Sequence, residues 1–389
     1  MANVLTRYSQ SRKNLRPVRV YLDGCFDMMH YGHANALRQA KAVGDVLVLG
    51  LVSDSEILRC KGPPVLNEEE RLVLVESVKW VDEVLTGVPY DLSPAFIHEL
   101  FHKHKIDYIL HGDDPCLLPD GSDAYAHAKR LGRFRMVKRT EGVSTTDIVG
   151  RMLTCTRVNP NLQDDQTHPL ARSFSVGING GADSAASTSE QASRTTLSKF
   201  LPTSRRLVQF SNGRVPSEGA KIVYIDGAFD VFHPGHVKIL KEAKAQGDFL
   251  LVGIHTDEDV QKRRGVHLPI MNLHERALSV LACKYADEVV IGAPTIITED
   301  IITTFNISVV VRGSISETNP QGEQSNEDRY AVADRLGLFR MLDSPSGICA
   351  RTIISRIVDN RTAYEARNAK KVKGEEVYYT EAKTYMAEL

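Results

Sequence analysis

Residues 22–45, LDGCFDMMHYGHANALRQAKAVGD, carry the clearest structural signal in the chain, and a close copy, IDGAFDVFHPGHVKILKEAKAQGD, occupies residues 225–248. Each copy opens on an apolar run that ends at Asp-Gly, as buried strands often do. Apolar residues then recur at helical spacing from Ala36 to Val43, and Gly44 follows where a helix should end. A second apolar run, DVLVLGLVSD, comes next. The order strand, helix, strand predicts a parallel βαβ unit.

The repeat continues well beyond this stretch. NEEERLVLVESVKWVDEVLTG, from Asn67, matches NLHERALSVLACKYADEVVIG, from Asn272, and AKRLGRFRM ending at Met136 matches ADRLGLFRM ending at Met341. Both of these matches are offset by 205 residues. A shared order at a near-constant offset indicates an internal duplication. The chain is therefore predicted to contain two tandem α/β domains, each a parallel sheet flanked by helices.

Composition divides the chain into five segments. We predict an N-terminal tail at 1–17, a first domain at 18–157, a flexible linker at 158–200, a second domain at 201–360 and a charged helical tail at 361–389. The linker is predicted because its residues are mostly Ser, Gly, Ala and Asp. The tail is charged and shows no broad apolar face.

Composition also limits the classes of partner. Of 389 residues 25% are charged, and the net charge is −1, which gives no basic footprint for nucleic acid. No run of apolar residues is long enough to span a bilayer. The six cysteines show no metal-binding or disulfide spacing, which indicates reduced thiols. We expect a cytoplasmic protein, and peripheral attachment to the endoplasmic reticulum stays open.

The loop between Gly24 and His33 carries the chemistry that the sequence suggests. It should lie at the carboxyl end of a strand, where α/β sheets bind ligands, beside a helix N-terminus that attracts phosphate. His30 and His33 can donate to one oxygen and stabilise charge on a transferring phosphoryl group. Local hydrogen bonding explains a single His-x-Gly-His loop as well, and a metal site is a second alternative that no carboxylate–histidine cluster supports. The repetition of the loop favours phosphate chemistry.

DGCFD-x-x-HYGH, KGPP from Lys61 and RTEGVSTTD from Arg139 together resemble the cytidylyltransferases, a family of HxGH nucleotidyltransferases with a Rossmann-like domain. The tandem arrangement is similar to the branch of this family that uses phosphoethanolamine. The resemblance implies transfer of CMP from CTP to phosphoethanolamine in phospholipid biosynthesis, with Mg²⁺ bound to CTP and no dedicated protein cage for the ion. The alternatives are phosphocholine as the acceptor, or a non-catalytic nucleotide-binding regulator.

The resemblance also implies roles for individual residues. The catalytic residues would be His30 and His33 at the five-coordinate α-phosphate, with Lys61 and Arg139 on phosphate oxygens. The nucleotide-binding residues would be Gly24, Cys25, Phe26, Asp113, Ser144, Thr145 and Thr146.

Several of these positions allow simpler interpretations. STTD alone is typical of a helix N-cap, and Lys61 could be a solvated loop lysine. Capping or a structural ion pair explains Asp27 and Arg71 nearly as well as a functional role. Trp80 is predicted to lie in the core or in the wall of the substrate pocket.

The second copy departs from the pattern of the first. RTEGVSTTD has become SPSGICART, which puts Ser344 at the position of Arg139, and HGDD has become RGSI. Each lost charge-assisted hydrogen bond is worth about 1.5–3 kcal/mol. We therefore predict that the first domain catalyses and that the second is a degenerate partner packed against it. Its candidate nucleotide site comprises Ala228, Phe229, His233 and His236. The duplication leaves both a monomer and a homodimer open.

Overall fold

The apolar runs RVYLDG and IVYIDG form the central strands of two separate parallel sheets. The computed structural model describes residues 16–113, 116, 123–140, 142–155, 202–265, 267–315 and 326–382. The predicted linker at 158–200 lies outside these residues.

The first sheet has five strands in the order β3-β2-β1-β4-β5, all parallel. The strands are β1 (Arg19–Gly24), β2 (Val46–Val52), β3 (Glu83–Val88), β4 (Tyr108–Gly112) and β5 (Phe134–Val137). The helices are α1 (Tyr31–Lys41), α2 (Asp54–Cys60), α3 (Glu68–Glu76), α4 (Pro94–His102), α5 (Ala126–Arg130) and α6 (Thr145–Cys155).

The second sheet repeats this topology as β10-β9-β6-β7-β8. Its strands are β6 (Ile222–Gly227), β7 (Phe249–Ile254), β8 (Glu288–Ile291), β9 (Ile307–Gly313) and β10 (Phe339–Leu342). Its helices are α7 (Pro202–Phe210), α8 (Pro234–Lys244), α9 (Asp257–Arg264), α10 (Leu273–Ala282), α11 (Glu299–Thr304), α12 (Asn326–Arg335) and α13 (Ala350–Asp359). A long helix, α14 (Arg361–Ala382), follows and lies within the predicted charged tail.

Helices cover both faces of each sheet because successive side chains of a strand point to opposite faces. In β1, Val20 and Leu22 belong to a hydrophobic cluster with α1, α3 and α6, whereas Tyr21 belongs to a cluster with α4 and α5. The prediction of two tandem Rossmann-like α/β domains is confirmed. No helix among the described residues is long and apolar enough to cross a membrane.

Strand order positions the site. From β1 the chain builds the sheet in one direction through β2 and β3, and then returns to β4 on the other side of β1. The connections that follow β1 and β4 therefore run in opposite directions. A crevice opens at the carboxyl ends of strands at such a point, and the loop that follows β1 lies there.

Contacts between the two halves of the chain recur at the offset of 205 residues. Arg151 makes two hydrogen bonds to Glu275, at 2.7 and 3.0 Å, and Arg356 makes two to Glu70, at 2.6 and 2.8 Å. Backbone contacts follow the same rule: Lys79 N–H donates to Ala282 C=O at 3.0 Å, and Lys284 N–H donates to Ser77 C=O at 2.7 Å.

Candidate active site

The loop after β1 holds unusual backbone conformations. Phe26 and Met28 have φ angles of +48° and +53°, in the left-handed region that non-glycine residues seldom adopt. Phe229 and Val231 repeat these values, at +50° and +48°. Such residues cost about 1–3 kcal/mol each and cluster at functional sites. The same conformation, held twice, indicates a loop shaped for binding.

The two histidines of this loop lie face to face. The ring centroids of His30 and His33 are 3.9 Å apart, with an angle of 24° between the planes. Gly32 N–H donates to His30 Nδ1 at 3.1 Å, so the neutral His30 ring carries its proton on Nε2. Burial lowers the pKa of His30 well below its usual value, and His33 lowers it further. At neutral pH His30 is therefore an uncharged hydrogen-bond donor.

These histidines open onto a cavity of about 390 Å³, a volume in the range typical of small-molecule sites. The predicted residues found in its lining are His30, His33, Lys61, Arg139, Gly24, Cys25, Phe26, Ser144, Thr145 and Thr146. They come from three separate segments, namely the β1–α1 loop, the residue after α2 and the connection from β5 into α6, which the fold brings together at the end of β1.

Asp113 is the predicted residue that does not line the cavity. Its carboxylate accepts a hydrogen bond from Arg139 N–H at 2.7 Å. Asp113 therefore fixes the backbone of Arg139, whose side chain belongs to the cavity wall.

The residues at the start of α6 cap the helix and also line the cavity. Ser144 Oγ accepts from Asp147 N–H at 3.1 Å and lies 2.6 Å from the Asp147 carboxylate, so the N-cap interpretation of this serine holds. Thr145 Oγ donates to Asp27 C=O at 3.0 Å, which ties α6 to the histidine loop. The helix N-terminus still faces the cavity, where its dipole favours an anion.

Lys61 also lines the cavity and lies directly after α2. Its Nζ is 5.3 Å from the ring centroid of Tyr90. The neighbouring Cys25 sulfur raises the pKa of Lys61 above its usual value, against the opposing effect of burial. Lys61 therefore stays protonated and available to a phosphate group.

A buried carboxylate that the motifs did not single out, Asp23, lies at the end of β1. Asp23 accepts a hydrogen bond from Tyr125 Oη at 2.9 Å, and burial raises the pKa of Asp23. His111 lies 4.5 Å from Tyr125 between ring centroids, and both Asp23 and His111 line the cavity. The repeat of Asp-Gly at Asp226 was the available signal, but it was assigned to the strand end alone.

Asp27 is an anchor of the loop that follows Lys61. It is buried, and it accepts hydrogen bonds from Val65 N–H at 3.1 Å and Leu66 N–H at 3.0 Å. The structural interpretation of Asp27 holds in this respect, although its carboxylate also lines the cavity.

Arg71 and Trp80 serve the scaffold. Arg71 is fully buried and donates to Cys25 C=O and to the Asp54 carboxylate, both at 2.7 Å. It thereby holds the loop after β1 from beneath. Trp80 packs on Phe210 of α7, with ring centroids 5.1 Å apart, and does not line the cavity.

The second copy encloses a smaller cavity, of about 140 Å³. Its lining includes the predicted set Ala228, Phe229, His233 and His236. The His233 and His236 rings stack at 3.7 Å, as in the first copy. Ser344 lines the wall where the first copy has Arg139.

Metal ligands are sparse in the described part of the chain, where no group of three or more His, Cys, Asp or Glu residues is placed to hold an ion. The cavity does offer the carboxylate of Asp23. This donor set fits Mg²⁺ that arrives on substrate phosphates, since Mg²⁺ commonly keeps water ligands and takes few from protein.

Comparison with known proteins places these features in a family. The cytidylyltransferase-like family model matches residues 21–151 and 224–339. An ethanolamine-phosphate cytidylyltransferase of Arabidopsis thaliana is 55% identical over 377 residues, 96% of this chain and 87% of that protein. One of Dictyostelium discoideum is 48% identical over 359 residues, 92% of this chain and 95% of that protein. Choline-phosphate cytidylyltransferase A of Rattus norvegicus is 44% identical over 140 residues, 36% of this chain and 37% of that protein.

Proposed function

The chain belongs to the cytidylyltransferase-like family and, within it, to the ethanolamine-phosphate cytidylyltransferases, and we propose that it transfers CMP from CTP to phosphoethanolamine. A phosphate oxygen of phosphoethanolamine attacks the α-phosphorus of CTP, and the bond from that phosphorus to the β-phosphate oxygen breaks. The products are CDP-ethanolamine and diphosphate. The attacking oxygen is already anionic, so the reaction needs positioning and charge neutralisation more than a strong base.

The observation that carries this proposal is the stacked pair His30 and His33 at the helix N-terminus. Because His30 keeps its proton on Nε2 and stays neutral, it can donate to an oxygen of the α-phosphate as charge builds there. The lowered pKa keeps that donor in one protonation state at neutral pH.

Cations and helix ends around the cavity would neutralise the triphosphate. Lys61 and Arg139 lie in its walls, and the N-termini of α1 and α6 both face it. Mg²⁺ bound to CTP would supply further positive charge to neutralise the triphosphate. Asp23, whose carboxylate lines the cavity, would help to hold that ion.

We assign the second copy a supporting role. Its Ser344 cannot replace the charge of Arg139, and its cavity is smaller. The paired contacts Arg151–Glu275 and Arg356–Glu70 support an internal pseudo-dimer in which each copy buttresses the other. Glu70 of α3 and Glu275 of α10 thus take equivalent places in the contact.

An acceptor assay tests the reaction. The chain, CTP and Mg²⁺ are incubated with phosphoethanolamine, phosphocholine or glycerol 3-phosphate, and diphosphate release is measured. We expect release with phosphoethanolamine in large excess over the other two. Release with phosphocholine instead would keep the mechanism and change the acceptor, and no release with any acceptor would favour a nucleotide-binding regulator.

A pair of matched double variants tests which copy catalyses. We expect His30→Ala with His33→Ala to lower kcat by at least about 100-fold, since each removes a donor to the developing charge. His233→Ala with His236→Ala should keep most of the activity. Equal losses in the two folded double variants would disprove the assignment of catalysis to the first copy.

A further inference from the structure

The last described helix of the chain reaches the cavity of the first copy. Arg367, on α14, donates to the Asp27 carboxylate at 3.0 Å and to Pro63 C=O at 2.7 Å. The exposed fractions of these two charged side chains are 14% and 1%, so the ion pair is largely shielded from water. The contact joins positions 340 residues apart, one at the floor of the site and one near the end of the chain.

One face of α14 makes all of these contacts. Tyr364 is buried and donates from Oη to Pro64 C=O at 3.0 Å, and Asn368 donates to Thr146 C=O at 3.4 Å. Positions 364, 367, 368 and 371 follow the spacing of a single helix face. Lys371 accordingly lines the cavity, together with its neighbour Lys370.

The second copy shows what the helix adds. Asp230 occupies the place of Asp27 and accepts from Ile270 N–H at 2.7 Å and Met271 N–H at 2.9 Å, as Asp27 does from Val65 and Leu66. Its further donor is Val231 N–H, at 3.0 Å, where Asp27 has the guanidinium of Arg367. The charges of Arg264 and Arg276 also act on Asp230, so cations lie near this aspartate in both copies; in the first copy the bound arginine, Arg367, comes from α14.

The helix changes the charge of the cavity. Among the described residues of its lining, six are lysines or arginines and two are carboxylates. Half of those cations come from α14, namely Arg367, Lys370 and Lys371. Arg367 makes the ion pair with Asp27, and Lys370 and Lys371 also line the cavity. The charge of Lys371 also contributes to lowering the pKa of His30, after burial and His33, which is consistent with its lying close to the reacting groups.

We infer that Lys370 and Lys371 bind phosphate oxygens of a substrate, so that α14, attached to the second copy, completes the active site of the first. The inference rests on the proposed function for the identity of the substrate. The ligand chemistry is a phosphate group, supplied either by the CTP triphosphate or by the acceptor phosphomonoester. Arg367 and Tyr364 position the helix and do not touch the reacting atoms.

Kinetics of Lys370→Gln with Lys371→Gln in the full-length chain test this inference, each substrate being varied while the other is saturating. We expect KM to rise roughly 10-fold or more for the substrate whose phosphate the lysines hold, because a charge-assisted hydrogen bond is lost at each. A rise confined to CTP assigns the lysines to the triphosphate, and one confined to phosphoethanolamine assigns them to the acceptor. Lys373→Gln is the matched control, since Lys373 is exposed on the same helix and does not line the cavity.

Unchanged kinetic constants would overturn the inference, as would a rise in activity, which would mark α14 as an inhibitory cover. Titration calorimetry of CTP with the wild-type chain and the double variant separates this failure from that of the proposed function. Suppose that the wild-type chain shows no turnover with any acceptor, but the double variant binds CTP more weakly than the wild type. The lysines would then still bind phosphate, and the proposed reaction would be rejected. A wild-type chain that neither turns over nor binds CTP would reject both.

Discussion

Gly32 is the residue whose size matters most for the histidine pair. A β-carbon at this position would lie 2.8 Å from His30 Nδ1 and 2.9 Å from Val143 Cγ1, both closer than real contacts allow. The backbone N–H of Gly32 also fixes the tautomer of His30. The glycine thus allows the close approach on which the orientation of His30, the proposed catalytic donor, depends.

We therefore expect Gly32→Ala to lower kcat by roughly 100-fold, since displacing a catalytic group by about 1 Å has effects of this size. Diphosphate release and circular dichroism together measure the effect. Gly150→Ala is the control: a β-carbon at position 150 would meet no atom within 4 Å, and alanine in a helix should stabilise α6 by up to about 1 kcal/mol. Wild-type activity in Gly32→Ala would show that the close packing is dispensable.

At the scale of elements, one glutamate in each copy has two tasks. Glu70 accepts from Asn67 N–H at 3.0 Å, closing the capping box of α3, and also binds Arg356. Glu275 does the same for α10, accepting from Asn272 N–H at 2.9 Å and binding Arg151. The helix start is thereby fixed by the residue that contacts the other half of the chain.

Helix α14 depends on Arg367 for its position. Arg367→Gln should raise KM for CTP or phosphoethanolamine at least about 10-fold, because the helix that carries Lys370 and Lys371 loses its buried ion pair. Arg367→Lys should fall between, since lysine keeps the charge but its shorter side chain places the nitrogen elsewhere than Nη1, which donates to both acceptors. Limited trypsin digestion reports the position of the helix directly, as cleavage at these lysines should quicken in Arg367→Gln.

The kinetic readout separates positioning from a general loss of stability. A variant whose kcat at saturating substrate stays near wild type while KM rises has lost binding only. If Arg367→Gln is digested at the wild-type rate and both KM values are unchanged, Arg367 does not anchor α14. Lys373→Gln again serves as the matched variant on the same helix.

At the scale of the whole molecule, the two halves contact each other as subunits of a twofold dimer would, although one chain supplies both. The side chain of Glu275 is 4% exposed and that of Glu70 is 18% exposed. If its arginine partner is removed, the Glu275 carboxylate is less well solvated by water than the Glu70 carboxylate, so its unpaired charge costs more.

Arg151→Gln should thus lower the free energy of unfolding by about 1–3 kcal/mol, and Arg356→Gln by less. Urea denaturation followed by circular dichroism and by Trp80 fluorescence measures both, since Trp80 packs on α7 from the second half. Arg335→Gln removes an exposed partner of Glu299 and should cost under about 1 kcal/mol. If Arg151→Gln lowered the free energy of unfolding by no more than Arg335→Gln does, the contact between the halves would add little stability.

Patterns in the sequence predicted the fold, the duplication and ten of the residues that line the cavity. Strand and helix patterns are local, so residues 18–54 were enough to predict the βαβ unit, and the second copy repeats the same pattern. His30, His33, Lys61 and Arg139 were found because each lies in a short motif with a phosphate-binding rationale. The difference between the copies could be predicted because the same short motifs change in the second copy, where RTEGVSTTD becomes SPSGICART.

Only the tertiary structure decided which distant segments share the site. The contact of Arg367 with Asp27 spans 340 residues, and no periodicity records a contact of that range. Helix α14 looked merely charged because it docks through polar side chains on one face instead of an apolar stripe. The place of Asp113 also depends on a contact between distant residues. Its carboxylate accepts a hydrogen bond from the backbone of Arg139, which the register of β4 and β5 brings near, and it does not line the cavity.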